Sequence, residues 1–344
     1  MQNIKRPLLF PSSATRAVLT ALFPAIVLIA AIIQLFPYER EPEKYTVSYY
    51  GLFDTQTTVT AYMRDREDFG RLSGVIYGRL KELHESYDIY NDYEGKNNLK
   101  TVNDMAGIAP VTVNADIINL VSFAKEYCGI TGGAVNAAIG PVTALWREFL
   151  GGGGPPPDAA SLEMASGLTD IDKVIVTGNT IFLSETGMSL DVGAVAKGYA
   201  VKLASDAAKA SGYGDFLIDA GGDVHASGMP YGRDGWIIGI QDPDAANGIA
   251  KAFSLTNKSA VTSGDYQRFR EYGGVRYGHI IDPETNTPAG RYRSVTVIHP
   301  DCGAADALST ALFILPLDEG TALARERGAS AVWIMEDKST VTYP

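Results

Sequence analysis

The chain has 344 residues, of which 46% are hydrophobic and 20% charged, and it contains only two cysteines. This is the composition of a globular protein with a substantial core, and two cysteines exclude both a disulfide framework and a multi-cysteine zinc site. The formal net charge is −11. Residues 1–16 contain three basic residues and no acid, which leaves 26 basic and 40 acidic residues, a net charge of −14, for the rest of the chain. So acidic a body repels phosphate backbones, which argues against nucleic-acid binding.

The amino-terminal region has the pattern of a membrane anchor. Residues 17–36 (AVLTALFPAIVLIAAIIQLF) carry no formal charge and are long enough to cross a hydrocarbon core of about 30 Å as a helix. Because basic residues precede this run and acidic residues follow it, the positive-inside rule predicts that 1–16 is cytoplasmic and that the body lies outside. We expect a single-pass signal anchor, and the alternative is a cleaved signal peptide. No cysteine precedes Cys128, which excludes a lipid-attached lipoprotein.

Beyond the anchor, the sequence predicts a tether at 37–44 and a folded body at 45–344. Apolar spacing predicts helices at 68–83, 116–127, 194–210, 304–315 and 318–327. Strands are predicted as a pair within 45–63 broken at 51–54, a hairpin at 174–183 turning at Gly178 and Asn179, and single strands at 216–219, 236–241, 253–261, 275–281, 294–298 and 331–336. The run GGGGPPP at 151–157 is a loop by composition. Since the strands cluster as hairpins, an α+β fold of antiparallel sheets flanked by helices is favoured over a doubly wound sheet.

The segment DVGAVAKGYA (191–200) is a candidate anion site. An acid, a glycine turn and a helix beginning near Ala194 would direct backbone N–H groups and the positive end of the helix dipole at a ligand. Lys197, one turn into the helix, would add a full positive charge for a phosphate. The alternative is an ordinary helix start capped near Asp191 with a solvated lysine.

The segment FLIDAGGDVHASG (216–228) carries a strand into two glycines. Gly221 and Gly222 would let a flat ligand or another backbone approach closely. A bulge or tight turn with a solvated Asp223 explains the pattern equally well. His225 has no evident partner and is expected to be structural.

Two further segments flank a predicted hairpin through 272–274. They are AVTSGDYQRF (260–269) and GHIIDP (278–283), and pairing would bring together four polar residues, Ser263, Asp265, His279 and Asp282. Among the four histidines, His279 has the most polar neighbourhood and is a candidate base or ligand orienter, although a lone histidine is usually structural. His84 and His299 have weaker cases.

The segment CGAADALSTALFIL (302–315) places Asp306 and Thr310 four residues apart on one helix face. A carboxylate and a hydroxyl at this spacing can share a hard cation such as Mg²⁺, with water and phosphate oxygens completing the shell. The alternative is an aspartate favoured by the helix dipole and a threonine bonded to its own helix. Cys128 and Cys302 lie in apolar surroundings and are expected to be unpaired buried thiols.

Eight segments occur in order along the body: LFDTQTTVTAYM, DIYNDYEGKNNLKTVND, GGAVNAAIGPVTALW, DVGAVAKGYA, IDAGGDV, VTSGDYQRF, GHIIDP and ADALSTALFIL. Taken together, they resemble the ApbE family, the flavin transferases that move FMN from FAD onto a threonine or serine of a target protein. The resemblance covers about residues 45–340 and implies a two-lobed α+β body of antiparallel sheets flanked by helices. It also implies a bacterial protein, whose body the anchor would hold on the periplasmic or extracellular side of the cell membrane.

The resemblance implies roles for individual residues. It implies that Mg²⁺ is held by the backbone carbonyl of Ala194 with Asp306 and Thr310, and that His279 and Lys197 act in catalysis. The FAD-contacting positions that it implies are Phe53, Tyr90, Ala134, Val135, Asn136, Asp191, Lys197 and Ile280. Phe53 and Asp54 stand where the family most often has Met and Gly, and Val135 and Asn136 where it has Phe and Asp, so the departures concern flavin fit.

The expected activity is a Mg²⁺-dependent transfer of FMN from FAD to a protein hydroxyl with release of AMP. Two alternatives stay open: a FAD pyrophosphatase giving FMN and AMP, and a non-enzymatic flavin-binding protein. A nicotinamide oxidoreductase is disfavoured because no dinucleotide fingerprint is present. By resemblance, the acceptor would be a subunit of a respiratory complex, such as the sodium-pumping NADH:quinone oxidoreductase or the Rnf type, or an extracellular flavin carrier.

Overall fold

The fold was analysed in a computed structural model, which describes residues 40–245, 248–266 and 268–344 together with the single residues 22, 24 and 27. The chain divides into two units, Met1–Pro42 and Glu43–Pro344; the second is called the body below. Apart from those three single residues, the predicted anchor at 17–36 lies outside the described residues. Among the residues that are described, no helix is long and apolar enough to cross a membrane.

The body is built from short strands and medium-length helices. The helices are α1 Arg66–Tyr87, α2 Leu99–Asp104, α3 Ala115–Ile130, α4 Gly140–Leu150, α5 Ala159–Ser166, α6 Ala196–Ala210, α7 Cys302–Ile314 and α8 Leu317–Glu326, with 3₁₀ turns at Ala137–Ile139 and Ile171–Lys173. The strands are β1 Glu43–Leu52, β2 Thr55–Met63, β3 Val111–Thr112, β4 Val174–Thr177, β5 Thr180–Leu183, β6 Phe216–Ala220, β7 Asp223–Ser227, β8 Trp236–Gln241, β9 Ile249–Leu255, β10 Lys258–Gly264, β11 Phe269–Tyr272, β12 Val275–Gly278, β13 Ile281–Asp282, β14 Thr287–Pro288, β15 Ser294–His299, β16 Ser330–Ile334 and β17 Thr340–Tyr343.

One large sheet organises the body. Its strand order is β1-β2-β6-β7-β10-β15-β16-β17, and smaller sheets are formed by β3-β5-β4, β8-β9, β11-β12 and β13-β14. All of the strand pairs in the described part of the chain are antiparallel. The predicted α+β class with antiparallel sheets is therefore confirmed.

The two faces of the large sheet have different coverings. Its inner face shares the main hydrophobic core with α1, α6 and α7, and α7 is buried along its whole length. On the outer face, the β8–β9 hairpin packs Trp236 and Ile238 against Val224 and Ala260. Burying one large apolar side chain contributes about 1.5–3 kcal/mol to stability. Because successive side chains of a strand point to opposite faces of the sheet, this burial fixes which side of each strand faces α7.

Most predicted elements are confirmed within a few residues, and three differ for clear reasons. The single strand predicted at 275–281 is wrong: it is divided into β12 and β13, because the first pairs with β11 and the second with β14. Helix α6 begins at Ala196 and not near Ala194, because the Val195 and Ala196 N–H groups both bond to the Val192 carbonyl in a preceding turn. The single strand predicted at 253–261 is wrong. It is two strands, β9 and β10, because Asn257 turns the chain with a φ of 51°, a left-handed conformation that asparagine tolerates.

Candidate active site

Helices α6 and α7 meet at Gly198, and this contact places the first site residue. A Cβ atom at Gly198 would lie 2.5 Å from Asp306 Cβ and 2.5 Å from the Cys302 carbonyl oxygen, so a larger residue does not fit. The close approach lets the Gly198 N–H donate to Asp306 Oδ2 at 2.7 Å. The two segments predicted to bind an anion and a cation therefore lie side by side.

Lys197, Asp223 and Asp306 form a buried charge cluster beside this contact. Lys197 Nζ forms an ion pair with Asp223 Oδ1, while the Asp223 and Asp306 residues are 1% and 5% exposed. Burial raises the pKa of Asp223, although Lys197 opposes it, and burial together with the Asp223 charge raises the pKa of Asp306 well above its usual range. Burial acts to lower the pKa of Lys197, but the two carboxylates outweigh it and the pKa is raised. Two carboxyls that share one cation favour a second positive charge.

The oxygen atoms of this cluster fit a hard cation. Asp223 Oδ2 is buried and accepts no hydrogen bond from the described residues. Thr310, one turn beyond Asp306, lies 3.3 Å from Ser263 Oγ, which also contacts Ser309 Oγ at 2.8 Å. No described group of three or more His, Cys, Asp or Glu side chains is placed to hold a metal ion. A cation here would therefore need the Thr310 hydroxyl, a backbone carbonyl and ligand oxygens besides Asp306.

Ala194 lies in the turn before α6 and is partly buried against the core. The sequence predicts unpaired N–H groups at this helix start. In the structure, however, the Ala196 N–H bonds to the Val192 carbonyl at 2.8 Å and the Gly198 N–H bonds to Asp306. Two of the first three N–H groups of α6 are thus already used, which leaves a smaller backbone anion site than expected.

Asp191 holds the rim of the site in place. Its Oδ2 accepts hydrogen bonds from Thr143 Oγ1 and from Arg147 Nη2, each at 2.8 Å, and its Oδ1 accepts one from the Gly193 N–H at 3.0 Å. The Arg147 guanidinium lies 4.8 Å from the centre of the Tyr90 ring. Tyr90 is 51% exposed, so it offers an accessible aromatic face for a flat ligand.

The loop that carries Tyr90 is held by a buried carboxylate, Asp88. Asp88 Oδ1 accepts hydrogen bonds from the Tyr90 N–H at 2.6 Å and the Asn91 N–H at 3.1 Å, and Oδ2 accepts one from the Tyr93 hydroxyl at 2.8 Å. Burial acts to raise the pKa of Asp88, but these hydrogen bonds overcome it and the pKa is lowered. Asp88 therefore stays ionised and fixes the position of the ring.

The turn between β1 and β2 brings Phe53 to the same region. Phe53 has a φ of 52°, its N–H donates to His84 Nδ1 at 3.3 Å, and its ring meets the His84 ring edge-on at 5.4 Å between centroids. Arg268 Nη2 donates to the Asp54 carbonyl at 3.2 Å. His84, given little weight from sequence, thus supports the turn that positions Phe53.

His279 lies across from this turn, on the other side of Arg268. Its Nδ1 is 3.2 Å from the Arg268 carbonyl, to which a protonated Nδ1 would donate. Partial desolvation, and then the Arg268 charge, lower the pKa of His279, and Asp191 and Lys197 are close enough to influence it. A neutral ring with Nδ1 as donor leaves Nε2 as a proton acceptor.

Residues Ala134, Val135 and Asn136 form the loop before the first 3₁₀ turn. Val135 is buried, and the Asn136 side chain accepts from the Ala138 N–H at 2.9 Å and donates to the Thr169 carbonyl at 2.8 Å. The loop leads directly to Ala137, whose carbonyl accepts from the Asp191 N–H at 2.8 Å. The side chains of Val135 and Asn136 thus serve the fold, which leaves the backbone for ligand contact. Ile280, next to His279, packs against the core.

Several predicted neighbours have separate partners. Ser263 contacts Ser309, Asp265 pairs with Arg293 at 3.2 Å, and Asp282 accepts from the Glu284 N–H at 2.9 Å. His225 is structural as predicted, since it is buried and bonds through Nδ1 to Ser259 Oγ at 2.9 Å. Both cysteines are buried free thiols, as expected.

Sequence reasoning missed residues that support the site: Asp88, Thr143, Arg147 and Arg268, and it assigned no role to Asp223. Thr143 and Arg147 lie four residues apart, so a polar pair on one face of an amphipathic helix was the available signal. The partners of Asp88 are Tyr90, Asn91 and Tyr93, all within five residues of it, so an aspartate-led turn was a second available signal. Arg268 binds the distant Asp54 carbonyl and leaves no local pattern.

The chain is similar to known proteins over most of its length. The ApbE family model matches residues 53–333. A FAD:protein FMN transferase of Klebsiella pneumoniae (strain 342) is 34% identical over 272 residues, covering 77% of this chain and 84% of the relative. One of Treponema pallidum (strain Nichols) is 37% identical over 259 residues, covering 70% and 71%.

Solved structures extend the comparison to the fold. The crystal structure of the ApbE protein from Thermotoga maritima superposes with a TM-score of 0.79 at 25% identity and covers 87% of this chain and 97% of its own. The flavin transferase ApbE from Vibrio cholerae gives a TM-score of 0.75 at 26% identity, covering 88% and 97%.

Proposed function

Because the chain belongs to the ApbE family, we propose that it transfers FMN from FAD to a threonine or serine hydroxyl of a target protein and releases AMP. The observation that carries the proposal is the juxtaposition of a buried Lys197–Asp223–Asp306 cluster with a rim that bears Tyr90 and His279. This chain covers 84% and 71% of the lengths of two relatives that are named FAD:protein FMN transferase.

The chain's own residues have distinct tasks in this reaction. Tyr90 stacks on the flavin, with Arg147 and Asp191 holding the rim, and Lys197 contributes positive charge near the phosphates. The acceptor oxygen forms a bond to the FMN phosphorus as the bond from that phosphorus to the AMP oxygen breaks. Nε2 of His279, or a nearby carboxylate, takes up the hydroxyl proton.

We also propose that the site uses Mg²⁺, held by Asp306, Thr310 and the carbonyl oxygen of Ala194. When bound, the ion would neutralise charge on the pyrophosphate oxygens, which an acidic body otherwise disfavours. The oxygen-only donor set supports a hard cation, and the buried Asp306 carboxyl beside the Asp223 charge favours a second positive charge.

The location and acceptor are proposals that rest on the sequence. The apolar run at 17–36 and its flanking charges support a single-pass anchor in a bacterial membrane, with the body outside. An acceptor on that side would be a respiratory-complex subunit or an extracellular flavin carrier.

Incubation of the purified protein with FAD and Mg²⁺ tests the proposal, with and without the flavin-carrying domain of a sodium-pumping NADH:quinone oxidoreductase. The expected result is AMP release that depends on the acceptor, with covalent FMN on a threonine or serine by mass spectrometry. AMP and free FMN without a modified acceptor would instead identify a pyrophosphatase. Intact, tightly bound FAD would identify a flavin-binding protein.

A further inference from the structure

A cavity of about 390 Å³ lies on the outer face of the large sheet; it is called the groove below. Its floor is formed by side chains from five neighbouring strands: Thr58 of β2, Asp219 of β6, Val224 of β7, Ala260 and Thr262 of β10, and Thr296 of β15. Because side chains alternate along a strand, the floor is opposite the face that carries Asp223 and Ser263. The groove and the charge cluster are therefore separated by one layer of backbone.

One wall of the groove is strand β8. Four consecutive residues, 238–241, line it, and in the described part of the chain β8 is paired only with β9. The side chains of Ile238 and Ile240 are buried toward the sheet, while Gly239 and Gln241 are exposed. The strand thus lies flat on the outer face with one edge along the groove, and such an edge offers N–H and C=O groups to an added strand.

The lining of the groove suits a neutral peptide. Among the described residues, the lining contains threonine and tyrosine hydroxyls, an amide and glycine backbone but no lysine or arginine, which disfavours a phosphate-rich ligand. Its one described carboxylate, Asp219, already accepts from the Gly222 N–H at 3.0 Å. The four lining residues of β8 extend over about 13 Å, which matches an extended segment of about four residues.

The groove ends where the candidate active site begins. Its lining residues Thr55 and Gln56 directly follow the turn that carries Phe53. The Gly221 N–H donates to the Gln56 carbonyl at 3.1 Å, and a Cβ at Gly221 would collide with Thr55 Oγ1, so the β1–β2 turn is pressed against the β6–β7 turn. A chain that leaves the groove at this end reaches the rim of the site.

We propose that the groove binds an extended segment of the acceptor protein, which adds as a strand to the free edge of β8 and directs the modified residue over the β1–β2 turn into the site. This inference rests on the proposed function, since it assigns a binding surface to that function's protein substrate. Main-chain hydrogen bonds to β8 would supply the affinity and the small threonine-lined floor would select small side chains.

Photo-crosslinking in cells tests the proposal, because it captures the acceptor whatever its identity. p-Benzoylphenylalanine replaces Gln241, an exposed residue at the edge of the groove, or Met164 as an exposed control on α5, in the full chain inside cells that contain flavinylated protein. We expect the Gln241 position, and not the Met164 position, to capture a protein whose peptides carry covalent FMN. Capture of no FMN-bearing protein at Gln241 overturns the groove assignment, whereas the absence of any enzyme-dependent flavinylated protein overturns the proposed function.

Kinetics of the purified variants provide the second measurement, with the captured protein as the acceptor. Thr262→Phe fills the groove and should raise the acceptor KM by about tenfold while FAD affinity stays within about twofold. Thr262→Val keeps the volume of the side chain, so the acceptor KM and the FAD affinity should both stay within about twofold of the parent. An unchanged acceptor KM in Thr262→Phe contradicts the proposal, and an equal loss of FAD affinity would assign the groove to FAD instead.

Discussion

The Gly198 N–H donates a 2.7 Å hydrogen bond to Asp306 Oδ2, across a helix contact that leaves no room for a side chain at residue 198. One glycine therefore both sets the distance between α6 and α7 and satisfies one oxygen of a buried carboxylate. The site depends on this contact because Lys197 and Asp306 lie on the two helices that it joins.

Replacing Gly198 tests that dependence. Gly198→Ala should lower the free energy of unfolding by about 1–3 kcal/mol, because its Cβ would meet Asp306 and the Cys302 carbonyl. Gly78→Ala is the matched control, since Gly78 is exposed on α1 with no atom near the added Cβ, and it should stabilise by up to about 1 kcal/mol. Urea unfolding measures both, and equal effects would show that the contact is not tight.

Asp306 should matter for activity and not for stability. Asp306→Asn removes a carboxyl whose ionised form is disfavoured by burial and by Asp223, and it keeps an oxygen for the Gly198 N–H. We expect an unfolding free energy equal to or above that of the parent, with Mg²⁺-dependent AMP release lowered by about 100-fold or more. Full Mg²⁺-dependent transfer by this variant would contradict the metal assignment.

Lys197 should stabilise the fold by pairing with Asp223. Lys197→Met leaves a carboxyl that is 1% exposed without its cation, so stability should fall by up to about 3 kcal/mol, less if Asp223 takes up a proton. Adding Asp223→Asn should recover most of the loss. A double-mutant cycle by urea unfolding gives the coupling free energy between Lys197 and Asp223. If the two single substitutions lower the free energy of unfolding additively, the two side chains do not interact.

Tyr90 should contribute to flavin affinity alone. Tyr90→Ala is expected to weaken FAD binding by about tenfold, and Tyr90→Phe to leave it nearly unchanged, because the proposed contact is ring stacking. Tyr50→Ala on β1 is the control, since Tyr50 is similarly exposed and lies on an edge strand. Quenching of flavin fluorescence on titration measures affinity, and equal affinities of Tyr90→Ala and the parent would exclude Tyr90 from the flavin site.

The buried His225 should make the stability of the fold depend on pH. Burial, and then the Lys209 charge, lower the pKa of His225 to about 4, so the unfolded chain takes up the proton first as the pH falls below about 6.5. As the pH falls from 6.5 to 4, this histidine should lower the free energy of unfolding by up to about 3 kcal/mol. Urea unfolding of the parent and of His225→Gln across that range measures the contribution, and parallel pH profiles would contradict it.

The sequence predicts elements better than side-chain partners. Apolar spacing predicts α1 and α3 because their buried faces repeat every three or four residues. The sequence predicts one strand where the structure has β9 and β10, because the residues on both sides of the two-residue turn at Asn257 have a strand-like composition. Turn geometry at this point depends on pairing with β8 and β7, which lie outside the local window.

The same limit applies to the site. Local motifs indicate Asp306, Thr310, Asp191 and Lys197, and the structure brings Lys197 and Asp306 into one cluster. The partner that unites that cluster, Asp223, comes from a different hairpin, and no local motif indicates its role. Its importance follows from burial and from a long-range ion pair, and neither leaves a periodic signature in the sequence.

The most direct test of the central claim is the ratio of AMP released to FMN bound covalently to the acceptor, measured in one reaction of the purified protein with FAD, Mg²⁺ and acceptor. Transfer predicts one AMP for each covalent FMN, with both products lost together in Asp306→Asn. AMP release in the presence of acceptor with no covalent FMN would contradict the account.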